Sequence, residues 1–96
     1  MNSSDIAHNL LEVISTKLES IDELEVDFDG KILSIETETG QQYLLNFHGP
    51  TNQLWLSSPI TGAHHFEWID DTWRSTRSPE TLLHILRNEL NTEIIL

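Results

Sequence analysis

The chain contains no cysteine. That excludes disulfides, thiolate nucleophiles, cysteine-held zinc and cysteine-ligated iron–sulfur clusters. Positive charge is also scarce: 5 Lys and Arg stand against 16 Asp and Glu, a formal net charge of −11. Such a chain is repelled by nucleic acid and by anionic membrane, and its natural partners are cations and basic protein surfaces. No apolar run approaches the roughly 20 residues of a membrane-spanning helix. The first residues, Met1 to Asp5, read as neither a secretory signal nor an Arg-rich transit sequence. A soluble protein of a reducing compartment is expected, the bacterial cytoplasm first. There is no internal repeat and no low-complexity segment, and 96 residues make one domain, residues 1–96. The apolar share is low, but the apolar positions are periodic, which marks a folded chain and not an acid-rich disordered one.

The negative charge is unevenly spread. Residues 1–40 carry ten Asp and Glu against Lys17 and Lys31, and residues 41–96 carry six against Arg74, Arg77 and Arg87. The halves are therefore −8 and −3, which sum to the −11 of the whole. Residues 5–21 predict a helix capped by Asp5, with Ile6, Leu10, Val13, Ile14, Leu18 and Ile21 at helical spacing. On its other side Asp5, Glu12, Glu19 and Glu23 recur within about 40° of one another. Like charges stacked this way repel. Leu24 to Asp29 then alternates as a strand, with Glu25, Asp27 and Asp29 outward, so eight carboxylates from Asp5 to Asp29 are expected along one edge. A solubilising surface is the plain reading of such a row. The chemical one is an open, oxygen-rich site for hard cations and for Fe(II), Fe(III) or Mn(II), weak and poorly selective. His8, one turn before Glu12, lies at its margin. Glu25 to Glu36 approaches a calcium-binding loop, but the first ligand is not Asp, Leu33 fills a ligand position, and Val26 and Phe28 alternate like a strand. Gly30 is read as a turn between strands.

Further strands follow at residues 31–37, 42–48, around Trp55, at 64–69 and around Trp73, joined by short turns, which predicts an antiparallel meander. Ser78 and Pro79 read as the start of a second helix, with Leu82, Leu83, Ile85, Leu86 and Leu90 on its core face. The apolar tail Ile94-Ile95-Leu96 is expected to pack against the two helices. The fold class is α+β: a two-layer sandwich, with the N- and C-terminal helices on one face of an antiparallel sheet of about six strands. The other face is then open. By parity it carries Asn46, His48, Gln53, Trp55, Ser57, His65 and Glu67. Leu54 and Leu56 take the core side of their strand, which leaves Trp55 among polar neighbours. An indole there is either a protein-contact anchor or is packed under a neighbouring loop. No catalytic constellation is present: Ser57 and Ser58 lack a nucleophile elbow, and His64 and His65 point to opposite faces of one strand. His84 reads as a surface or capping residue.

The run Gln53-Leu54-Trp55-Leu56-Ser57-Ser58-Pro59, followed by Thr61-Gly62, Phe66-Glu67-Trp68 and Trp73, closely resembles the frataxin family, and the likeness covers nearly the whole chain. The resemblance implies weak iron binding through Glu12, Glu19, Asp22, Glu23, Glu25 and Asp27, with other divalent cations admitted. It implies docking on the cysteine desulfurase and the scaffold protein that build iron–sulfur clusters, with Asn46, Gln53 and Trp55 matching and Ser57 and His65 beside them. It also admits the mitochondrial matrix, as a mature form, as an alternative compartment. The chain departs from the family's pattern at His8 and Asn9, where acidic residues are usual. It departs again at Phe47 and His48, and at His64 and His65, where basic residues are usual. An iron-responsive regulator without chemistry of its own is the leading expectation, a monomer or a metal-dependent oligomer. An iron store or ferroxidase, and an acidic adaptor with no physiological metal, are the alternatives; no Glu-x-x-His ferroxidase motif is present.

Overall fold

The computed structural model of the chain describes residues 2–91. Helix α1 runs from Ser3 to Leu18. Its cap is Asn2, not Asp5: the Asp5 amide donates to Asn2 Oδ1 at 2.9 Å. Asp5 instead occupies the first turn, where a carboxylate complements the positive end of the helix. The buried stripe is Ala7, Leu11, Ile14 and Leu18, at steps of four, three and four. Val13, expected inside, is rotated off that stripe and is exposed. The helix ends three residues earlier than expected, because Glu19 caps it and Ile21 turns back to donate to the Leu18 carbonyl.

Six strands follow: β1 (Leu24–Phe28), β2 (Ile32–Thr37), β3 (Gln42–His48), β4 (Gln53–Ser58), β5 (Gly62–Ile69) and β6 (Thr72–Ser75). They lie in chain order, each antiparallel to the last. The meander follows from its turns. At the first, Asp29 Oδ1 accepts the amides of Lys31 and Ile32 at 2.9 and 2.8 Å, and Gly30 takes a φ of +97°. Those two amides hold the Asp29 carboxyl below its ordinary value. A carboxylate inside the rejected calcium loop is thus a turn brace. At the last turn Asp70 and Asp71 both have positive φ, the left-handed pair that a tight hairpin requires.

Register then decides the faces. Leu33, Ile35, Tyr43, Leu45, Leu54, Leu56, Phe66 and Trp73 all point to one side, where they meet the α1 stripe. Helix α2 (Leu82–Leu90) adds Leu82, Ile85 and Leu86 to this core. It does not begin at Ser78-Pro79. The Ser75 amide donates to the Glu80 carbonyl and Arg74 bridges Thr81, which keeps the chain extended that far. Thr81 is the cap, its Oγ1 accepting the His84 amide at 3.3 Å. Thr81→Ala is therefore expected to cost about 1 kcal/mol. That should lower the melting temperature by about 4–8 °C, whereas Ser78→Ala should leave it nearly unchanged; thermal unfolding of both variants checks this. His84 is exposed, its Nε2 3.1 Å from Asn88 Nδ2. The tail Ile94-Ile95-Leu96 lies outside the described residues.

Candidate functional site: the open sheet face

The helices cover one face of the sheet, and the other carries a row of side chains running across β3, β4 and β5. Trp55 stands opposite Asn46 on one side and His65 on the other, and Gln53 stands opposite His48. Trp55 is half-buried. Its indole lies between two imidazoles, with the His48 ring at 3.8 Å and the His65 ring at 4.4 Å between centroids, each tilted by only 14°. The pleat makes this stack: His65 is directly across the ladder, and His48 reaches diagonally from β3.

Hydrogen bonds fix the group in place. Trp55 Nε1 donates to Gln53 Oε1 at 3.0 Å, and Gln53 Nε2 reaches Glu67 Oε1 at 3.5 Å. On the far side His48 Nδ1 lies 2.8 Å from Thr51 Oγ1, in the single 3-10 turn Gly49–Thr51 that joins β3 to β4. Ser57 is exposed at the other end of β4, opposite Leu44 and Ala63, and Leu44 is itself exposed. The result is a rigid aromatic platform whose own N–H is already satisfied. A partner would meet it by stacking and burial, with Asn46, Gln53 and Glu67 supplying polar contacts around the rim.

The residues expected at the docking face thus come together as expected: Asn46, Gln53, Trp55, Ser57 and His65 share one surface. His48 was on the expected face but was not singled out. Parity gave its side of the sheet, and only the diagonal reach to Trp55 reveals its part in the stack. His64, by contrast, points into the core side and stacks over Phe66, so the two adjacent histidines do face opposite ways.

The acidic residues are placed differently. Asp5, Glu12 and Glu19 are exposed along α1, and Asp22 and Glu23 occupy the turn that links α1 to β1. Glu23 is therefore not part of the helical row. Glu25 and Asp27 are exposed on the open side of β1, an edge strand, with Glu36 directly opposite Glu25. The carboxylates pass from the helix layer, around the sheet edge, onto the same open face that carries Trp55. There Glu25, Asp27, Ser34, Glu36 and Gln42 line a shallow depression. Among the described residues no three His, Asp or Glu side chains converge into a preformed metal cage. His8 is half-buried and packs edge-on against Phe47, ring centroids 6.5 Å apart.

A family model, the frataxin-like domain, matches residues 2–95. The chain belongs to the frataxin family. It is 36% identical to a mitochondrial frataxin-like protein of Leishmania donovani over 93% of its own length and 52% of that protein's. It is 30% identical to the iron-sulfur cluster assembly protein CyaY of Vibrio atlanticus, over 93% of this chain and 88% of that one. The chain thus spans about half of the Leishmania relative and most of the Vibrio one. Among solved frataxins, that of Psychromonas ingrahamii superposes with a TM-score of 0.82 at 26% identity, over 94% of this chain and 89% of that one. A trimeric yeast frataxin complexed with ferrous iron superposes with a TM-score of 0.73, also at 26% identity, over 93% and 81% of the two chains. The frataxin fold expected from the Trp55 strand, two helices on a six-stranded antiparallel sheet, is the fold observed.

Proposed function

We propose that this frataxin is an iron-responsive regulator of iron–sulfur cluster assembly, without catalytic chemistry of its own, that docks through the Trp55 face on a cysteine desulfurase and its scaffold protein. The observation that carries the reading is the His48–Trp55–His65 stack, a pre-ordered aromatic anchor on the sheet face opposite the helices, where Ile32 and Leu44 are exposed as well. Interface energy concentrates on such anchors because a rigid ring loses little conformational freedom on burial. Relatives named as iron-sulfur cluster assembly proteins support cluster assembly as the process. The bacterial cytoplasm is the proposed compartment, and the mitochondrial matrix the alternative.

The test is a desulfurase assay with the scaffold present, with and without this protein and with and without Fe(II). A protein-dependent and iron-dependent change in sulfide production, together with co-purification of the complex, supports the reading. A change that ignores iron would favour the plain acidic adaptor. Oxygen consumption with Fe(II) and this protein alone would favour the ferroxidase.

Iron belongs, in this reading, to the exposed carboxylates. A cation relieves their mutual repulsion, which the folded chain concentrates and the unfolded chain disperses. Anaerobic Fe(II) is expected to raise the melting temperature, and binding to shift the amides around Glu12, Glu19, Asp22, Glu23, Glu25 and Asp27. Among the described residues no preformed cage is present, so water would complete the coordination shell and affinity would be low. Amide shifts clustered away from these residues would place the ion elsewhere.

A further inference from the structure

At the end of the core beneath α2, five side chains make one directed chain of hydrogen bonds that the docking face does not use. Ser58 Oγ donates to Glu89 Oε1, and the same Oγ accepts the amides of Ile60 and Thr61 at 3.0 and 3.1 Å. Thr61 Oγ1 donates to Glu89 Oε2 at 2.7 Å and lies 2.6 Å from His64 Nε2. Arg77 Nη2 lies 3.4 Å from His64 Nδ1 and donates to the Ala63 carbonyl at 2.8 Å.

The direction of this chain is fixed at both ends. A guanidinium only donates and an ionised carboxylate only accepts. Arg77 therefore requires a lone pair on His64 Nδ1, which puts the ring proton on Nε2. That proton goes to Thr61, and the Thr61 proton goes to Glu89. The ring is neutral and has no room for a second proton: an N–H at Nδ1 would face the Arg77 N–H. Nor is the ring free to swing away. His64 is only 8% exposed and stacks over Phe66 at 6.1 Å.

We propose that Arg77, His64, Thr61 and Glu89 form a proton-sensitive latch, which holds the β6–α2 loop and the end of α2 onto the β4–β5 hairpin and lets Arg77 go when His64 is protonated. The groups facing the ring favour its neutral form on balance. Burial and then Arg77 hold the His64 imidazole below its ordinary value, with His65, its neighbour in β5, adding to them. Glu89 from α2 and Glu80 from the loop oppose them without prevailing. Tyr43, from β3, stays neutral throughout, since burial and the Glu89 carboxylate push its hydroxyl up to about 12. Because the folded value lies below the unfolded one, the latch contributes its full stability above the unfolded histidine value of about 6.5. That contribution is lost as pH falls through the folded value. Lysine or arginine at position 64 could not work this way, having no acceptor.

The test is made on the full chain by NMR. At pH 7.5 the His64 ring should carry its proton on Nε2. Exchange of the Thr76 and Arg77 amides, which bond the His65 carbonyl and Ser75 Oγ, should lose protection as pH falls to 5. Corrected for intrinsic chemistry, the expected loss is at most about tenfold per pH unit between the unfolded histidine value and the folded His64 value, levelling off below the latter. His64→Gln should abolish that pH dependence. Arg77→Gln, an exposed substitution that leaves the core intact, should raise the pH at which the His64 ring titrates. A ring protonated on Nδ1 at pH 7.5, or a titration unmoved by Arg77→Gln, would overturn the latch. So would an unchanged pH-dependent loss in His64→Gln.

Discussion

Trp55→Ala is expected to leave a folded protein that has lost its partner. The indole is outside the core, so truncation removes two ring stacks and one hydrogen bond to Gln53, and opens no cavity beneath the helices. Stacked pairs of this kind contribute about 0.5–1.5 kcal/mol each. The fold should therefore weaken by only about 1–3 kcal/mol, within the margin of a small domain. At the interface the same change removes the central anchor. A loss of about 2 kcal/mol or more, roughly thirtyfold in affinity, is expected for the desulfurase–scaffold complex. Thermal unfolding and a binding isotherm on the same sample separate the two effects. A variant that melts many degrees earlier, yet binds normally while folded, would return Trp55 to a structural role. Iron binding should be untouched, because the acidic residues lie on α1, the following turn and β1, which β2 and β3 separate from β4.

Phe66→Ala should do the opposite. Phe66 stands across the ladder from Leu54, one strand from Trp55, but on the helix-covered side, and it is fully buried. Removing a buried phenyl ring from a core costs about 3–5 kcal/mol, because the surrounding side chains close the hole only in part. That is a large fraction of the total stability of a domain this size, about 0.05–0.15 kcal/mol per residue. The melting temperature should fall by well over 10 °C, since each kcal/mol shifts it by about 4–8 °C. Partner affinity, measured at a temperature where the variant is still folded, should be near that of the parent. The pair Trp55 and Phe66, comparable rings on adjacent strands, thus divides binding from stability. If Phe66→Ala also abolished binding at low temperature, the open face would depend on core packing more closely than the sheet geometry implies.

Much of this was legible in the sequence because β-strand parity is a short-range property. Leu54 and Leu56 alternating with Gln53, Trp55 and Ser57 assign faces without any knowledge of the neighbours, and a one-residue slip would have buried every polar group. The strand order was legible for a similar reason, since short turns such as Asp29-Gly30 leave antiparallel neighbours as the simplest connection. The helix ends were less so. Asp5 and Ser78 are acceptable caps by composition, but capping is settled by which amides lack partners, and that depends on the preceding chain. Asn2 reached the Asp5 amide first, and the bridge between Arg74 and Thr81 kept the second helix from starting early.

What no local reading could supply were the contacts between distant segments. His48 and His65 are separated by 17 positions and meet only because both reach the same indole from opposite strands. Ser58 and Glu89 are 31 positions apart, and their bond exists because α2 lays its end over the β4–β5 turn. The carboxylates of β1 share a face with Trp55 although the sequence places them beside the helix row, since the edge strand turns its outer side to the open face. Composition and periodicity determined the layers, the faces and the acidic character of this frataxin. Tertiary structure decided which side chains meet, because a ring stack or a buried hydrogen-bond chain needs angles and distances that only the paired strands and their packed helices impose.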